Sequence, residues 1–330
     1  MEVGAMTTAT DRPTGGSYDV VVVGAGAAGL SAGLVLGRTR RPTAVVGAGP
    51  TRNARATQIN GFLTRDGISP PDFLAMGEAE LARYGVTRIT DRVLAIDPAG
   101  EGGHFQVRLA GGSVLMARHI LVATGLRDEL PPIPGLAERW GIDVLFCPFC
   151  DGWEASDQPL GVLGGRPASV EQALLVRQWS EDIIFFPHDK DLTDAEQERL
   201  AARGVEVAPG PVARIVTDAG RLTGVELADG RLVSRQVLFT SPRRITQDGL
   251  LTALGCDLGK GGTVLVDVAG RTSVPGVWAA GNVVRDHASV IVATSMGAVA
   301  AAAVNRDMVR EETAAAVEEY RRGAAVRSAE

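Results

Sequence analysis

Apolar runs and helical apolar spacing alternate along the chain, with glycine-rich segments between them. Residues 18–23 form an almost continuous apolar run, which is typical of a strand buried on both faces. A glycine-rich segment at 24–29 and a helical pattern at 30–36 follow directly, and residues 43–46 predict the next strand. Helical spacing recurs at 70–84. This order of strand, turn and helix predicts an α/β fold.

The same order of elements returns in the middle of the chain. Short alternating strands lie between residues 88 and 124, and a new strand-to-glycine turn begins at 160–164. A helix at 170–179, a strand at 183–186 and short strands within 225–240 complete the second series. We therefore predict two Rossmann-like domains of the FAD- or NAD(P)-binding type, each with a β-meander and the second inserted in the first.

Proline-rich and small-residue segments mark the predicted domain boundaries. The predicted divisions are a disordered leader at 1–17, a discontinuous first domain at 18–130 and 243–330, and a central domain at 131–242. Near the end of the chain, residues 288–309 predict an alanine-rich helix, and residues 311–330 predict a separate charged, amphipathic helix.

The composition excludes several classes of function. The chain of 330 residues has a net charge of −6, so a general affinity for nucleic acid or an acidic membrane surface is not expected. No apolar run approaches the length of a membrane span. Because the sequence has no signal peptide, we expect a cytoplasmic protein whose thiols are normally kept reduced.

Residues 24–29, GAGAAG, match the fingerprint of a dinucleotide-binding turn between a strand and a helix. Gly24 makes the turn, Gly26 lets the backbone approach a pyrophosphate, and Gly29 lets the helix pack on the strand. An acidic residue is expected at the end of the next strand to hold a ribose, but Gly47 occupies that position. A tight turn without a ligand is the alternative interpretation.

The most informative stretch of the chain is CPFCD at residues 147–151. The spacing of Cys147 and Cys150 lets both sulfurs occupy the first turn of a helix, close enough to form a bridge. Amides and the dipole at a helix N-terminus stabilise a thiolate, so the pair can cycle between dithiol and disulfide. Asp151 is placed to move protons to or from the outgoing thiol.

Two other interpretations of the cysteine pair are weaker. A structural zinc ion needs four ligands, but the only other cysteine is Cys256 and the four histidines show no ligand spacing, so we expect no metal. A purely structural disulfide is not expected in a reducing compartment. A redox-active pair is therefore the favoured interpretation.

Four motifs, in their order along the chain, resemble those of the thioredoxin reductase family of two-domain flavoproteins. They are GAGAAG at 24–29, VATG at 122–125, CPFCDG at 147–152 and GVWAAGN at 276–282. The resemblance extends over nearly all of residues 18–309. It implies that FAD binds the discontinuous first domain, and that a central domain of the NADPH-binding type carries the cysteine pair.

The resemblance also implies a role for individual residues. Cys150 corresponds to the cysteine next to the flavin, and Cys147 to the cysteine that exchanges with substrate. Asn282 stands where the family usually has Asp. The residues expected to bind FAD are Gly24, Gly26, Ala27, Ala28, Gly29, Gly47, Arg52, Asn53, Asn60, Val93, Ala123, Thr124, Gly125, Gly281, Asn282, Val290 and Ile291.

The central domain departs from the family where NADPH normally binds. The family's GGG-x-x-A turn reads GGRPAS at 164–169, with Arg166 in place of a glycine and Pro167 removing an amide donor. The family's basic cluster for the 2′-phosphate reads FPHDKD at 186–191. Because it lacks these NADPH-binding features, the chain resembles the FAD-dependent dithiol oxidases, the branch similar to the gliotoxin and holomycin disulfide-forming enzymes.

That branch often has His after the second cysteine, whereas this chain has Asp151. A second candidate acid or base is His287, whose alternative interpretation is a surface histidine at a helix start. We expect a small-molecule dithiol as substrate, O2 as electron acceptor, a homodimer and a role in natural-product biosynthesis. The alternatives are a disulfide reductase supplied by ferredoxin or NADPH, and a flavin-bound redox sensor without turnover.

Overall fold

The computed structural model describes residues 15–100 and 104–327. Most of the predicted leader, residues 1–14, lies outside the described residues. Its last residue, Ser17, does not belong to a leader, because it is the first residue of a strand that pairs with Met116. The structure therefore corrects the predicted start of the fold by one residue.

The chain forms seventeen strands and eight α-helices over the described residues. The strands are β1 (Ser17–Val23), β2 (Thr43–Val46), β3 (Thr87–Ile89), β4 (Val93–Ala99), β5 (His104–Leu109), β6 (Val114–Val122), β7 (Leu126–Glu129), β8 (Val144–Leu145), β9 (Leu160–Leu163), β10 (Ile183–Phe186), β11 (Glu206–Val207), β12 (Val212–Asp218), β13 (Arg221–Leu227), β14 (Leu232–Ser234), β15 (Val237–Thr240), β16 (Arg243–Thr246) and β17 (Val277–Ala279). The helices are α1 (Ala27–Arg38), α2 (Pro70–Arg83), α3 (Leu136–Arg139), α4 (Pro148–Asp151), α5 (Ser169–Val176), α6 (Asp194–Ala202), α7 (Gly249–Ala253) and α8 (Val290–Arg327).

These elements form two compact units. The first unit contains the described residues up to Thr51, Leu74–Leu126 and the chain from Thr246 onward. The second unit contains Arg52–Phe73 and Arg127–Ile245. The second unit is thus inserted in the first, as predicted. Sequence analysis assigned Arg52–Phe73 to the first domain, whereas in the structure this segment packs with the central unit.

The first unit is built on a largely parallel sheet with the order β3-β2-β1-β6, extended by the antiparallel meander β6-β5-β4. Strand β17 adds in parallel to β6. Alternate side chains of β1 divide the core: Val20 and Val22 pack on the face covered by α1 and α8, and Val21 and Val23 pack on the opposite face. The continuous apolar run is explained by this burial on both faces.

The second unit repeats this plan. Its parallel sheet has the order β11-β10-β9-β15-β8, and a separate antiparallel sheet joins β12, β13 and β14. Phe185 and Phe239 pack on one face of the parallel sheet, and Phe186 and Leu238 pack on the other. The prediction of two Rossmann-like domains, each with a meander, is confirmed.

The long helix α8 differs from the prediction of two separate helices. It runs without a break through residue 310, where the sequence analysis placed a boundary. No glycine or proline lies between Gly297 and Gly323, so no residue there interrupts the helix. Where α8 crosses α1, a Cβ atom on Gly297 would lie only 2.0 Å from Ala28 O, so this crossing requires glycine.

Candidate active site around the cysteine pair

The cysteines lie directly after the edge strand β8 of the second unit. Cys147 has an extended backbone and caps the single turn α4, and Pro148 takes the first helical position, where its missing N–H costs nothing. A disulfide joins Cys147 to Cys150, with 5.2 Å between their Cα atoms. The amides of Cys150 and Asp151 both donate to Cys147 O, at 3.0 and 3.1 Å. The structure therefore brings the two predicted redox sulfurs into one covalent pair.

The helix that carries the pair is shorter than the sequence analysis implied. Helix α4 has four residues, and a macrodipole grows with the number of aligned peptides. The helix dipole therefore stabilises a thiolate at either cysteine only slightly. Any larger stabilisation must come from local hydrogen bonds and neighbouring side chains.

Two side-chain amides hold the backbone of this redox loop, residues 146–150. Asn60 Nδ2 donates to Cys150 O at 2.8 Å, and Gln172 Nε2 donates to Phe146 O at 2.8 Å. Ser241 Oγ donates to Gln172 Oε1 at 3.0 Å, which orients that amide. We predicted Asn60 as a flavin contact, and the structure shows it bound to the cysteine loop. Gln172 and Ser241 were not singled out in the sequence, where no motif distinguishes them.

Asp151 follows the second cysteine and is shielded from solvent. Burial, together with a smaller effect of the negative charge of Glu154, raises the pKa of its carboxyl to about 6. A carboxyl with a pKa near neutrality can both accept and release a proton under physiological conditions. Asp151 therefore has the protonation behaviour expected of an acid or base at the cysteine pair.

Aromatic side chains surround the cysteines. Phe149 and Trp153 are 74% and 81% exposed, which is unusual for such large apolar groups. Phe149 packs edge-to-face on Trp179, with 6.0 Å between the ring centroids. Trp179 also lies against Gly152, where a Cβ atom would be 2.7 Å from its indole ring. The exposed edge of the redox loop is thus apolar and aromatic.

Arg52, predicted to bind FAD, makes strong contacts within the second unit. Its guanidinium forms two hydrogen bonds to the Asp128 carboxylate, at 2.7 and 2.8 Å. Its Cζ lies 5.8 Å from the centroid of the Phe146 ring, and Arg244 Cζ lies 5.5 Å from the same ring. Asn53, also predicted as a cofactor residue, accepts a hydrogen bond at its carbonyl from Ala56 N.

The glycine turn of the first unit has the geometry that a dinucleotide requires. Gly24 has φ +114°, and a Cβ atom there would lie 2.2 Å from Ala123 O. A Cβ atom on Gly29 would lie 1.7 Å from Gly24 O, so the start of α1 packs directly on the turn. At Gly26 the nearest atom to such a Cβ is Thr51 Cγ2 at 3.8 Å, which leaves this backbone open to a ligand.

The start of α1 is also chemically suited to a pyrophosphate. No side chain caps its first turn, which contains no acidic residue, and the helix begins with Ala27 and Ala28 directly after Gly26. First-turn amides of a twelve-residue helix offer donors and a favourable dipole to an anion. These features fit the pyrophosphate of FAD.

Gly47 explains why the expected ribose-binding acid is absent. A Cβ atom at this position would lie 2.6 Å from Ala25 N and 2.8 Å from Ala25 Cβ. The end of β2 therefore lies so close to the glycine turn that any side chain at position 47 would displace this turn.

Other predicted FAD residues lie on loops and element ends of the same unit. Thr124 Oγ1 donates to Gln247 O at 2.6 Å, and Gln247 Nε2 donates back to Thr124 O at 3.1 Å. These bonds fix the loop Ala123-Thr124-Gly125. Val93 begins β4 and is half-buried, and Val290 and Ile291 begin α8.

The loop of Gly281 and Asn282 approaches the start of α1. Gly281 has φ +79°, and a Cβ atom there would be 2.9 Å from Ala28 Cβ. Asn282 Nδ2 donates to Arg285 O and Ala288 O, each at 3.0 Å. An aspartate, which only accepts hydrogen bonds when ionised, could not make these contacts. The Asn in place of the family's Asp therefore has a local role in holding the loop before α8.

His287, the second candidate acid or base, lies in that same loop. Its side chain is 71% exposed, and its Nδ1 is 2.9 Å from Asp286 Oδ1. Asp151 is shielded from solvent and has a shifted pKa, whereas His287 is a surface residue paired with an acid. The interpretation of His287 as a surface histidine before a helix agrees with this placement.

The glycine turn of the second unit differs from that of the first. Helix α5 begins only at Ser169, after Arg166 and Pro167. Arg166 O accepts hydrogen bonds from Ser169 N at 3.1 Å and from Ser169 Oγ at 2.7 Å. The chain thus supplies its own acceptor to a first-turn amide of α5, where a nucleotide phosphate would otherwise bind.

Acidic groups surround the same turn. A Cβ atom on Gly165 would lie 2.9 Å from an Asp189 carboxylate oxygen. Lys190, the lysine of the loop after β10, pairs with Glu196 at 3.0 Å. His188 Nδ1 accepts a hydrogen bond from Val212 N at 3.0 Å. The side chains at 186–191, where the family has its basic cluster, therefore do not offer an unpaired positive charge to the 2′-phosphate of NADPH.

No helix in residues 15–100 and 104–327 is both long and apolar enough to span a membrane. That part of the chain also contains no cluster of three or more His, Cys, Asp or Glu residues arranged to hold a metal ion.

Comparisons with known proteins agree with the site. The family model described as pyridine nucleotide-disulphide oxidoreductase matches residues 18–297. The chain is 38% identical over 174 residues to a probable thioredoxin reductase of Arthroderma benhamiae, covering 51% of this chain and 43% of that protein. It is 32% identical over 315 residues to thioredoxin reductase sirT of Leptosphaeria maculans, covering 90% of this chain and 96% of that protein.

Among solved structures, the chain is similar to HlmI, with a TM-score of 0.90 and 50% sequence identity over 93% of this chain and 97% of that chain. It therefore spans less than half of the Arthroderma relative but nearly all of the other two proteins. The predicted family and cofactor are confirmed. The chain belongs to the pyridine nucleotide-disulphide oxidoreductase family, in which it is a thioredoxin reductase-like, FAD-dependent disulfide oxidoreductase.

Proposed function

We propose that this protein is a dithiol oxidase, which converts a small-molecule dithiol to its disulfide and reduces O2 to H2O2. The observation that carries the proposal is the altered nucleotide turn of the second unit. At the start of its helix, Ser169 N and Ser169 Oγ both donate to Arg166 O, and Lys190 is paired with Glu196. A turn with an internal acceptor, a proline in place of an amide donor and a paired lysine is poorly suited to NADPH, so we expect electrons to enter from the dithiol substrate and to leave to O2.

The cysteine pair performs thiol–disulfide exchange with the substrate. A substrate thiolate attacks Sγ of Cys147, which breaks the Cys147–Cys150 bond and releases Cys150 as a thiolate. The second substrate thiolate then attacks the sulfur bound to Cys147, which forms the product disulfide and releases Cys147. When bound, FAD takes the electron pair from the reduced cysteines and passes it to O2. The substrate loses two thiol protons and two electrons, and O2 takes up two protons and two electrons to become H2O2.

Asp151 serves this sequence as a proton carrier. Because its pKa is about 6, the carboxylate is available at neutral pH to accept a thiol proton. The exposed rings of Phe149 and Trp153 offer an apolar surface to a small substrate at the same loop.

The second candidate is a disulfide reductase, favoured by Asp151, which is the residue usual in the reductases, and by the names of two relatives, both called thioredoxin reductases. Such an enzyme would use the same cysteines but take electrons from NADPH or ferredoxin. A redox sensor without turnover is the third alternative. A homodimer and a role in natural-product biosynthesis stay predictions from the family resemblance, and a cytoplasmic location stays a prediction from the sequence.

Oxygen consumption distinguishes these functions. The holoenzyme is mixed in air with dithiothreitol and with a panel of apolar aromatic dithiols, while O2 uptake and H2O2 formation are recorded. The proposal expects one H2O2 for each disulfide formed and no uptake by the Cys150→Ser variant. The proposal would be contradicted if no dithiol supported O2 uptake, or if the Cys150→Ser variant kept full activity.

A further inference from the structure

Gln172 and Asn60 contact the redox loop at its two ends. Gln172 binds the carbonyl that precedes Cys147, and Asn60 binds the carbonyl of Cys150 itself. Both contacts are 2.8 Å, a normal length for a strong amide-to-carbonyl hydrogen bond. The two amides therefore hold the short segment that contains both sulfurs.

The environment of Gln172 shows that its amide has a fixed orientation. The side chain is buried, with 8% exposed, and its oxygen accepts a hydrogen bond from Ser241 Oγ at 3.0 Å. Its nitrogen must then face Phe146 O, because a reversed amide would place its oxygen against the Phe146 carbonyl oxygen, with two acceptors together. Loss of this donor would leave that partly buried carbonyl without its partner.

Gln172 lies on α5, the helix that follows the altered nucleotide turn. In this chain Ser169, the first residue of α5, is bound to Arg166 O, and the next turn contacts the cysteine loop through Gln172. The helix thus supports the redox loop independently of any nucleotide.

We propose that Gln172 and Asn60 are positioning residues that hold the redox loop in the conformation needed for disulfide closure, also when the two cysteines are reduced. Within the loop, the amides of Cys150 and Asp151 bind Cys147 O, but these bonds do not fix the loop to the rest of the unit. The disulfide itself restrains the oxidised loop. In the dithiol state this covalent restraint is gone and the loop is held only by non-covalent contacts, so the two external amides have their largest effect there.

This role predicts a change in redox potential. Without an external amide, the reduced loop gains freedom, and the effective concentration of one thiol at the other falls. We expect a threefold to tenfold decrease in the equilibrium constant for disulfide formation. For this two-electron couple, that decrease is a shift of roughly 14 to 30 mV toward less negative potential.

The test is a titration of Cys147 and Cys150 in anaerobic dithiothreitol redox buffers, followed by alkylation and mass spectrometry of the cysteine peptide. Gln172→Met keeps the volume of the side chain but removes the donor, and Asn60→Ala removes the other contact. Gln178→Ala is the matched control, because Gln178 is an exposed glutamine just beyond the same helix. Urea unfolding of each variant shows whether the fold is intact.

A shift in both Gln172→Met and Asn60→Ala, with Gln178→Ala at the wild-type midpoint, supports the proposal. Midpoints of the two variants equal to wild type overturn it, since a packing role alone would leave the potential unchanged. The proposal rests on the redox activity of the pair and not on O2. If the wild-type pair failed to titrate at all, the proposed function would fail instead.

Discussion

Lys190 forms an ion pair with Glu196, with 3.0 Å between Nζ and Oε1. Glu196 lies in the first turn of α6, where hydrogen bonds from Thr193 and Lys190 lower the pKa of its carboxyl. The carboxylate is therefore ionised at neutral pH and neutralises the lysine. This relationship removes a positive charge from the place where a 2′-phosphate would need it.

Removal of the two basic side chains nearest this turn should not affect dithiol oxidation. We expect Arg166→Ala and Lys190→Ala to keep kcat/KM for dithiol oxidation within about twofold of wild type, because neither residue belongs to the redox loop and an ion pair at the protein surface contributes little. Steady-state O2 uptake measures this. A large loss of NADPH-dependent activity in either variant would show instead that the second unit still binds the nucleotide.

Asp151 should control the pH dependence of the reaction. Its raised pKa predicts that kcat/KM increases with pH through about 6, as the carboxyl becomes a carboxylate able to accept a proton. Asp151→Asn should remove this step and lower kcat by about 100-fold or more. In Glu154→Gln the step should move to lower pH, because the charge that helps to raise the pKa of Asp151 is gone.

The matched control for the proton carrier is His287→Ala. Because the His287 side chain is 71% exposed and paired with Asp286, we expect a pH profile like that of wild type. Loss of the step near pH 6 in His287→Ala, but not in Asp151→Asn, would assign the proton transfer to the histidine.

Exchange of the two cysteines for serine should separate their roles. In Cys150→Ser, a substrate thiol that reacts with Cys147 cannot be displaced by the partner cysteine, so a mixed disulfide should accumulate when the variant is incubated with an oxidised substrate. Intact mass spectrometry would detect the adduct. Cys256→Ser is the control, because Cys256 is buried and burial raises the pKa of its thiol. An adduct on Cys150 in Cys147→Ser, but none in Cys150→Ser, would reverse the assignment.

Two glycines of the first turn should have different effects when replaced by alanine. At Gly26 a methyl group meets no atom closer than 3.8 Å, so Gly26→Ala should change the free energy of unfolding of the apoprotein by about 1 kcal/mol or less. We expect the same methyl group to weaken FAD binding at least tenfold, since it occupies the approach to the pyrophosphate.

At Gly29 the added methyl group would overlap Gly24 O. Gly29→Ala should therefore destabilise the fold by about 3 kcal/mol or more, whether or not FAD is present. Urea unfolding and FAD retention measured on both variants separate a ligand contact from a packing contact. Unchanged FAD affinity in a folded Gly26→Ala protein would contradict the assignment of this turn to the cofactor.

Local sequence patterns predicted the features that depend on local geometry. The strand predicted at 18–23 is Ser17–Val23, and the strand predicted at 183–186 has these same bounds in the structure. The glycine turn was predictable because Gly29 is required by a contact with Gly24 O five residues earlier, and because Gly24 has a positive φ in a tight turn. The disulfide between Cys147 and Cys150 likewise follows from their short spacing.

Long-range polar contacts could not be predicted in the same way. Asn60 is 90 residues from Cys150 along the chain, and its amide can satisfy a carbonyl or a cofactor equally well from sequence alone. Gln172 lies on a helix whose pattern shows only that this face is buried. Each of these partners is fixed by tertiary structure rather than by local propensity.

The central claim is that the second unit no longer delivers electrons from NADPH, and anaerobic reduction of the flavin tests it most directly. The oxidised holoenzyme is mixed with excess NADPH in the absence of O2 while the visible absorbance of FAD is followed, and dithiothreitol is then added. We expect the absorbance to stay unchanged with NADPH and to fall only after the dithiol is added. Prompt loss of the absorbance with NADPH alone would contradict the account.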